Sequence, residues 1–217
     1  MGFPFTTLQN TLLSFFARGA PPLILAMAAV SDRRKGGLSS SIMHFTLPAS
    51  FLIFFFGLLI YTGVFFIARR NLLQLNITPE MLTALGRGSS VELSALSPSE
   101  LTSALTVFSA QTALTTFFVL SGILLMIFAA PPTKWLAGGS PYSGNWMPTI
   151  AAGVLIAAYG VILQTPDLRN FFDLVDLPIS INVGIIAITA LWFFSQLAVW
   201  RSNLFERFLD LEVEGEV

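Results

Sequence analysis

The chain reads as an all-α, polytopic membrane bundle of about five transmembrane helices, on three observations. It is 54% hydrophobic, with 21 Phe among 217 residues, and its mean hydropathy is +0.77. Only 11% of its residues are charged, against about 25% in a soluble domain. Those charges cluster between five apolar stretches, on the scale of the ~20 residues that cross a bilayer.

The first span, Leu8 to Val30 (LQNTLLSFFARGAPPLILAMAAV), is the one around which the others are organised. It carries Arg18 near its middle, and Gly19, Pro21 and Pro22 mark a helix break immediately after it. Lipid cannot satisfy backbone groups freed by such a break, so in a membrane it faces a protein interior or a water-filled path. Two readings of Arg18 stay open. Either the helix shifts and the guanidinium snorkels to the interface, or it faces a polar interior and pairs with an acid or a helix C-terminus. A basic turn with Arg33, Arg34 and Lys35 follows.

The second span, His44 to Ala68, is the clearest. Pro48 near its start is tolerable in a first helical turn, and Gly57 and Gly63 allow close helix approach. His44, the single histidine, falls at its start as an interfacial residue. Arg69, Arg70 and Asn71 mark its end.

The long connection from Asn71 to about Thr106 holds a short amphipathic helix beginning at Thr78, with Pro79 and Glu80 in its first turn. A second helix has Ser97 as cap, Pro98 at the first position and Glu100 three residues after the cap. It runs on into the third span, Leu105 to Ala130. Thr106, Ser109, Thr112, Thr115 and Thr116 recur there, and their hydroxyls suit bonds to carbonyls of the same helix or across helices.

Pro131 and Pro132 stop the third span, and Lys134, Trp135, Pro141, Tyr142, Gly144, Asn145 and Trp146 form an interfacial turn. The fourth span, Pro148 to Leu163, is short and rich in Ala and Gly, which suits a closely packed helix. The segment QTPDLRNFFDLVDLP then lies along the surface. The fifth span runs from Ile179 to Trp200, and a short amphipathic helix precedes an acidic tail at 212–217. The membrane domain thus occupies residues 1–211.

Under the positive-inside rule, the side of the basic turn collects Arg33, Arg34, Lys35, Lys134, Arg201 and Arg207, while the other collects Arg69, Arg70, Arg87 and Arg169. This places the C-terminus in the cytoplasm and the N-terminus outside. No signal peptide is evident, because MGFPFTTLQN lacks a positive n-region and no cleavage site closes a short apolar core. An odd number of spans after an exterior, leaderless start is the pattern expected if preceding spans belong elsewhere. No two halves repeat, contrary to a complete inverted-repeat carrier.

Composition and motifs exclude several functions. A net charge of -1 offers no basic face for nucleic acid. Cys is absent, which removes disulfides and thiolate metal sites. There is no HExxH, no paired-His site and no glycine-rich phosphate loop followed by Lys and Ser or Thr. No cofactor and no autonomous catalysis are expected. No Asp or Glu falls in any span, although bare cations need anionic or carbonyl oxygens. The polar candidates for an intramembrane or ion path are Asn10, Ser14, Arg18, Gln111, Asn182 and Gln196, together with carbonyls freed near Pro21 and Pro22.

The order of landmarks resembles the C-terminal membrane region of P-type cation-transporting ATPases, their sixth to tenth transmembrane helices. The resemblance rests on GFPFTTLQNTLLSFFARGAPPLILAMA with its late Gly19-Ala20-Pro21, and on the segment from Phe45 to Tyr61. It continues through the Ala-x-Thr-x-x-x-Thr-Phe-Phe-x-Leu run from Ala110 to Leu120 and the Ala130-Pro131-Pro132 exit. The Gly144-Asn145-Trp146 turn and PDLRNFFDLVDL, Pro166 to Leu177, complete it, so that it covers Gly2 to Leu211. It implies a membrane support module for cation transport that hydrolyses no ATP by itself: the phosphorylated Asp-Lys-Thr-Gly motif, the nucleotide and actuator domains and the earlier helices are missing from this sequence. Its implied partners are those remaining helices and cytoplasmic domains, if encoded separately, and the lipid of the plasma membrane. Relatives often carry an acid or amide ligand on the sixth helix; the matching region here offers Asn10 and Ser14 but no acid. A small oligomeric channel or carrier, or a membrane interaction protein without transport, are the competing readings.

Overall fold

The computed structural model describes residues 5–28, 38–74 and 98–202. Within them the chain is all-helical, and five helices are long and apolar enough to cross a membrane. We label the helices α1 (Thr7–Ala28), α2 (Leu38–Gln74), α3 (Pro98–Ala129), α4 (Met147–Gln164), α5 (Pro166–Phe171) and α6 (Ile179–Arg201). The short α5 lies in the connection between the fourth and fifth spans. The Arg33 to Lys35 turn, the Thr78 helix, the Ser97 cap, Arg87 and the tail with Arg207 lie outside the described residues.

The hub is α3. Of its most apolar window 61% is buried, against 17–33% for the other four spans, and α1, α2, α4 and α6 all pack on it. Its small and hydroxylated positions explain that role, because Ala110, Ala113, Thr112, Thr115 and Thr116 are buried and permit neighbours to approach. Four of its hydroxyls turn back on their own helix: Thr106 to the Thr102 carbonyl at 2.7 Å, Ser109 to that of Leu105 at 2.8 Å, Thr116 to that of Thr112 at 2.9 Å and Ser121 to that of Phe118 at 3.3 Å. These bonds satisfy the polar groups without demanding water. Phe51, Phe54, Phe55 and Phe66 of α2 are exposed, a surface suited to hydrocarbon rather than to water.

The connections tie the two ends of the bundle. At one end Asn145 donates to the Ala28 carbonyl at 3.3 Å, His44 Nε2 meets the Gly138 carbonyl at 3.1 Å, and Arg201 donates to the Trp135 carbonyl. The Arg201 guanidinium also lies 5.5 Å from the Trp135 ring centre, a cation–π contact in an aromatic turn of the kind found at membrane boundaries. At the other end Arg169 pairs with Asp176 at 2.9 Å, and Leu174 and Leu177 plug the connection into the core. Lys134 and Arg201 therefore share one end and Arg169 occupies the other.

One local expectation needs correction. Pro48 lies in the interior of α2, not in its first turn, because the helix already begins at Leu38. Its ring is buried, and packing holds the helix together where Pro cannot donate to the preceding turn.

Candidate functional site

The candidate site is the outward face of α1, and its geometry follows from a change in helical winding. The chain enters through a capping box: the Gln9 amide donates to Thr6 Oγ1 at 3.2 Å, and the Thr6 amide donates to Gln9 Oε1 at 3.3 Å. After an α-helical Thr7–Leu13 the backbone widens to a π-helix over Ser14–Gly19 and returns to α-helix over Ala20–Ala28. The amide of Ala20 accordingly donates to Phe15, five residues back. The break expected at Gly19, Pro21 and Pro22 thus takes the form of a wider turn, with no exit from helix. Prolines cannot donate to the turn before them, and inserting one residue into that turn is a known adjustment around such positions in membrane helices. Gly19 fits the wide turn, since a Cβ there would stand 3.1 Å from the Ser14 carbonyl oxygen.

One side of this helix is locked into the bundle. Leu12, Leu13 and Phe16 are buried with Val119, Ile123 and Tyr159, and Phe16 meets the Tyr159 ring edge-on at 5.8 Å. Gln9, fully buried, fixes the N-terminal end: its Nε2 donates to the Asp173 carbonyl at 2.8 Å, and it accepts from Thr115 Oγ1 at 3.4 Å. Nearby, Thr112 Oγ1 accepts from the Val175 amide at 3.0 Å. Asp173 holds a left-handed backbone, φ 53°. Burial pushes its carboxyl above the ordinary value, with a hydrogen bond involving the Thr6 side chain pulling the other way.

The other side carries polar groups outward. Asn10 and Arg18 are exposed and Ser14 is half-buried. Arg18 lies roughly 13–15 Å from both the Gln9 tie and the Ala28 tie, at about 1.5 Å per helical residue. It has no hydrogen bond or ion pair among the described residues.

The remaining sequence candidates are dispersed. Gln111 is buried and borders a 410 Å³ cavity with Phe5, Thr6 and Phe108. Asn182 donates to the Leu177 carbonyl at 3.0 Å, capping the approach to α6, and borders a separate cavity of 560 Å³ with Thr116, Tyr159 and Thr189. Gln196 is completely buried on α6, and among the described residues neither end of its amide has a hydrogen-bond partner. Asn10, Ser14 and Arg18 share α1, whereas Asn182 and Gln196 share α6 but lie towards its opposite ends. Among the described residues no group of three or more His, Cys, Asp or Glu could hold a metal ion.

Sequence reasoning missed the Gln9 lock and the Thr116–Tyr159 hydroxyl pair at 2.9 Å. The Thr6-x-x-Gln9 spacing is the capping-box signal that would have marked Gln9. Nothing local points from Thr116 to Tyr159, which come together only when α4 packs on α3.

Comparisons with models of protein families, with curated proteins and with solved structures found no match.

Proposed function

We propose that this chain is the membrane support module of a cation-transporting P-type ATPase, contributing helices to an ion-translocating assembly whose motor belongs to other segments. The observation that carries this reading is the position of Arg18: exposed, midway along α1, within the π turn. A charged group at that depth in lipid costs at least ~2.5–3.5 kcal/mol on insertion scales. A helix that buries Leu12, Leu13 and Phe16 inward while turning Asn10 and Arg18 outward is arranged to meet more protein. The resemblance of the landmarks to the sixth to tenth helices of that family supplies the identity of the assembly. On this reading the module sits in the plasma membrane with the Trp135 end and the C-terminus cytoplasmic.

The test is co-expression with a polypeptide that supplies the Asp-Lys-Thr-Gly domain and the earlier helices. Stable co-purification and cation-dependent ATP hydrolysis that requires this chain are the expected results. Ion flux through the purified chain alone in liposomes would instead support an autonomous channel or carrier and overturn the proposal.

A further inference from the structure

We infer that the Arg18 face of α1 is a docking surface for a transmembrane helix that carries a carboxylate at mid-membrane depth. The inference deepens the reading of the chain as one part of a larger membrane assembly, and it rests on that reading. The charge, its depth and its surroundings all bear on the partner. Both ends of α1 are tied to connections at opposite ends of the bundle, Gln9 to Asp173 and Ala28 to Asn145. Sliding α1 along its axis to bring Arg18 to either interface would break those ties and the Gly122–Ala17 contact, where a Cβ on Gly122 would stand 2.5 Å from the Ala17 Cβ.

The charge therefore requires a counter-charge delivered to it. The chain cannot supply one from its own spans, because the five apolar spans contain no Asp or Glu, and Glu100 of α3 lies in the first turn, ahead of the span that begins at Thr102. A second copy offers only another Arg18 at that depth, so self-association does not neutralise it. A carboxylate on a neighbouring helix does, and a guanidinium binds a carboxylate through two parallel hydrogen bonds that fix orientation as well as attraction. The exposed Asn10 and half-buried Ser14 lie toward the N-terminal side of the same helix, where an amide and a hydroxyl can bond to polar groups one and two turns further along the partner.

The experiment uses the full chain, purified and reconstituted in phosphatidylcholine vesicles, and a synthetic single-span Leu/Ala peptide with one central Glu. Association is read by energy transfer between labels on the two, with the Gln version of the peptide as the neutral comparison. We expect the Glu peptide to bind roughly tenfold more tightly than the Gln peptide, the scale of a polar contact between membrane helices. Arg18→Leu should abolish that preference and Arg18→Lys should keep part of it, with far-ultraviolet circular dichroism establishing that both variants stay helical. Equal binding of the two peptides, a Glu preference that survives in Arg18→Leu, or its complete loss in Arg18→Lys would each overturn the inference. None of these outcomes depends on whether the natural partner bears an Asp-Lys-Thr-Gly motif, so they separate this inference from the pump assignment.

Discussion

Gly122 of α3 and Ala17 of α1 meet with no room for another side chain: a Cβ on Gly122 would stand 2.5 Å from the Ala17 Cβ and 2.9 Å from its Cα. This contact holds the π turn against the hub helix. Gly122→Ala should destabilise the bundle by about 1–3 kcal/mol, the usual cost of overpacking, seen as a lower denaturation midpoint in detergent micelles. Ala17→Gly in the same molecule should recover part of the loss, because the two changes share one contact. A Gly122→Ala protein that unfolds like the parent, or a double variant with no recovery, would show that the helices do not meet this closely.

Gln9 is the second anchor of α1, with its side chain joining the capping box, α3 and the Asp173 carbonyl. Gln9→Leu leaves the half-buried Asp173 carbonyl without this donor and removes the acceptor from Thr115. The expected cost is about 1–3 kcal/mol, and hydrogen exchange should quicken in the first turns of α1 more than in α2. Uniform protection in the variant would contradict the anchoring role.

Asp173 lends the same junction a pH dependence of known sign. Burial raises its carboxyl pKa in the folded protein, so folding favours the protonated form. The contribution to stability is full below the ordinary carboxylate value of about 3.9 and is lost as pH rises through the raised folded value. Melting of the parent minus that of Asp173→Asn, followed from about pH 3.5 to 7 across that range, should fall with increasing pH. A difference that rises would mean the carboxylate is the form the fold prefers.

The spans were legible because hydropathy and length alone identify helices that cross lipid: the second was read as His44 to Ala68 and lies within α2, and the fifth as Ile179 to Trp200 against Ile179–Arg201. The start of α3 was legible at Pro98 for a local reason, its fit to a first helical turn. Pro48 was misplaced because the polar residues before His44 hid the six residues of helix at 38–43, which no apolar run announces. The Gly19, Pro21 and Pro22 cluster announced a disturbance in α1, but whether the chain leaves the helix or widens it depends on packing against Gly122, more than a hundred residues away. The same limit applies to the polar candidates. Periodicity places Asn10, Ser14 and Arg18 on one helix, yet only the fold tells that Gln196 turns inward while Arg18 turns outward.

Gln196 gives a prediction of opposite sign to most core substitutions. Its amide is enclosed on α6 beside Leu197 and Trp200, which are also buried, with no hydrogen-bond partner at either atom among the described residues. A buried polar group left unpaired costs about 1–3 kcal/mol. Gln196→Met keeps a comparable length and removes the polar atoms, so it should raise the denaturation midpoint of the isolated chain. A lower midpoint would mean that Gln196 has a partner in the membrane, such as a bound water, and would return it to the set of path residues.

Arg18 should respond with opposite signs in two settings. In the chain alone its guanidinium is exposed midway along α1, and Arg18→Leu removes a cost of at least ~2.5–3.5 kcal/mol on insertion scales. Glycosylation mapping of the first span in microsomes should therefore show a larger inserted fraction for Arg18→Leu. In a co-purified assembly the same substitution removes an ion pair and leaves its carboxylate unmatched, so recovery of the complex should fall. A lipid-facing arginine that snorkels would show the first change without the second. A residue buried by its own chain would show neither, because Leu in its place would gain no contact with lipid. The two signs together are what a charge held in readiness for another helix must produce.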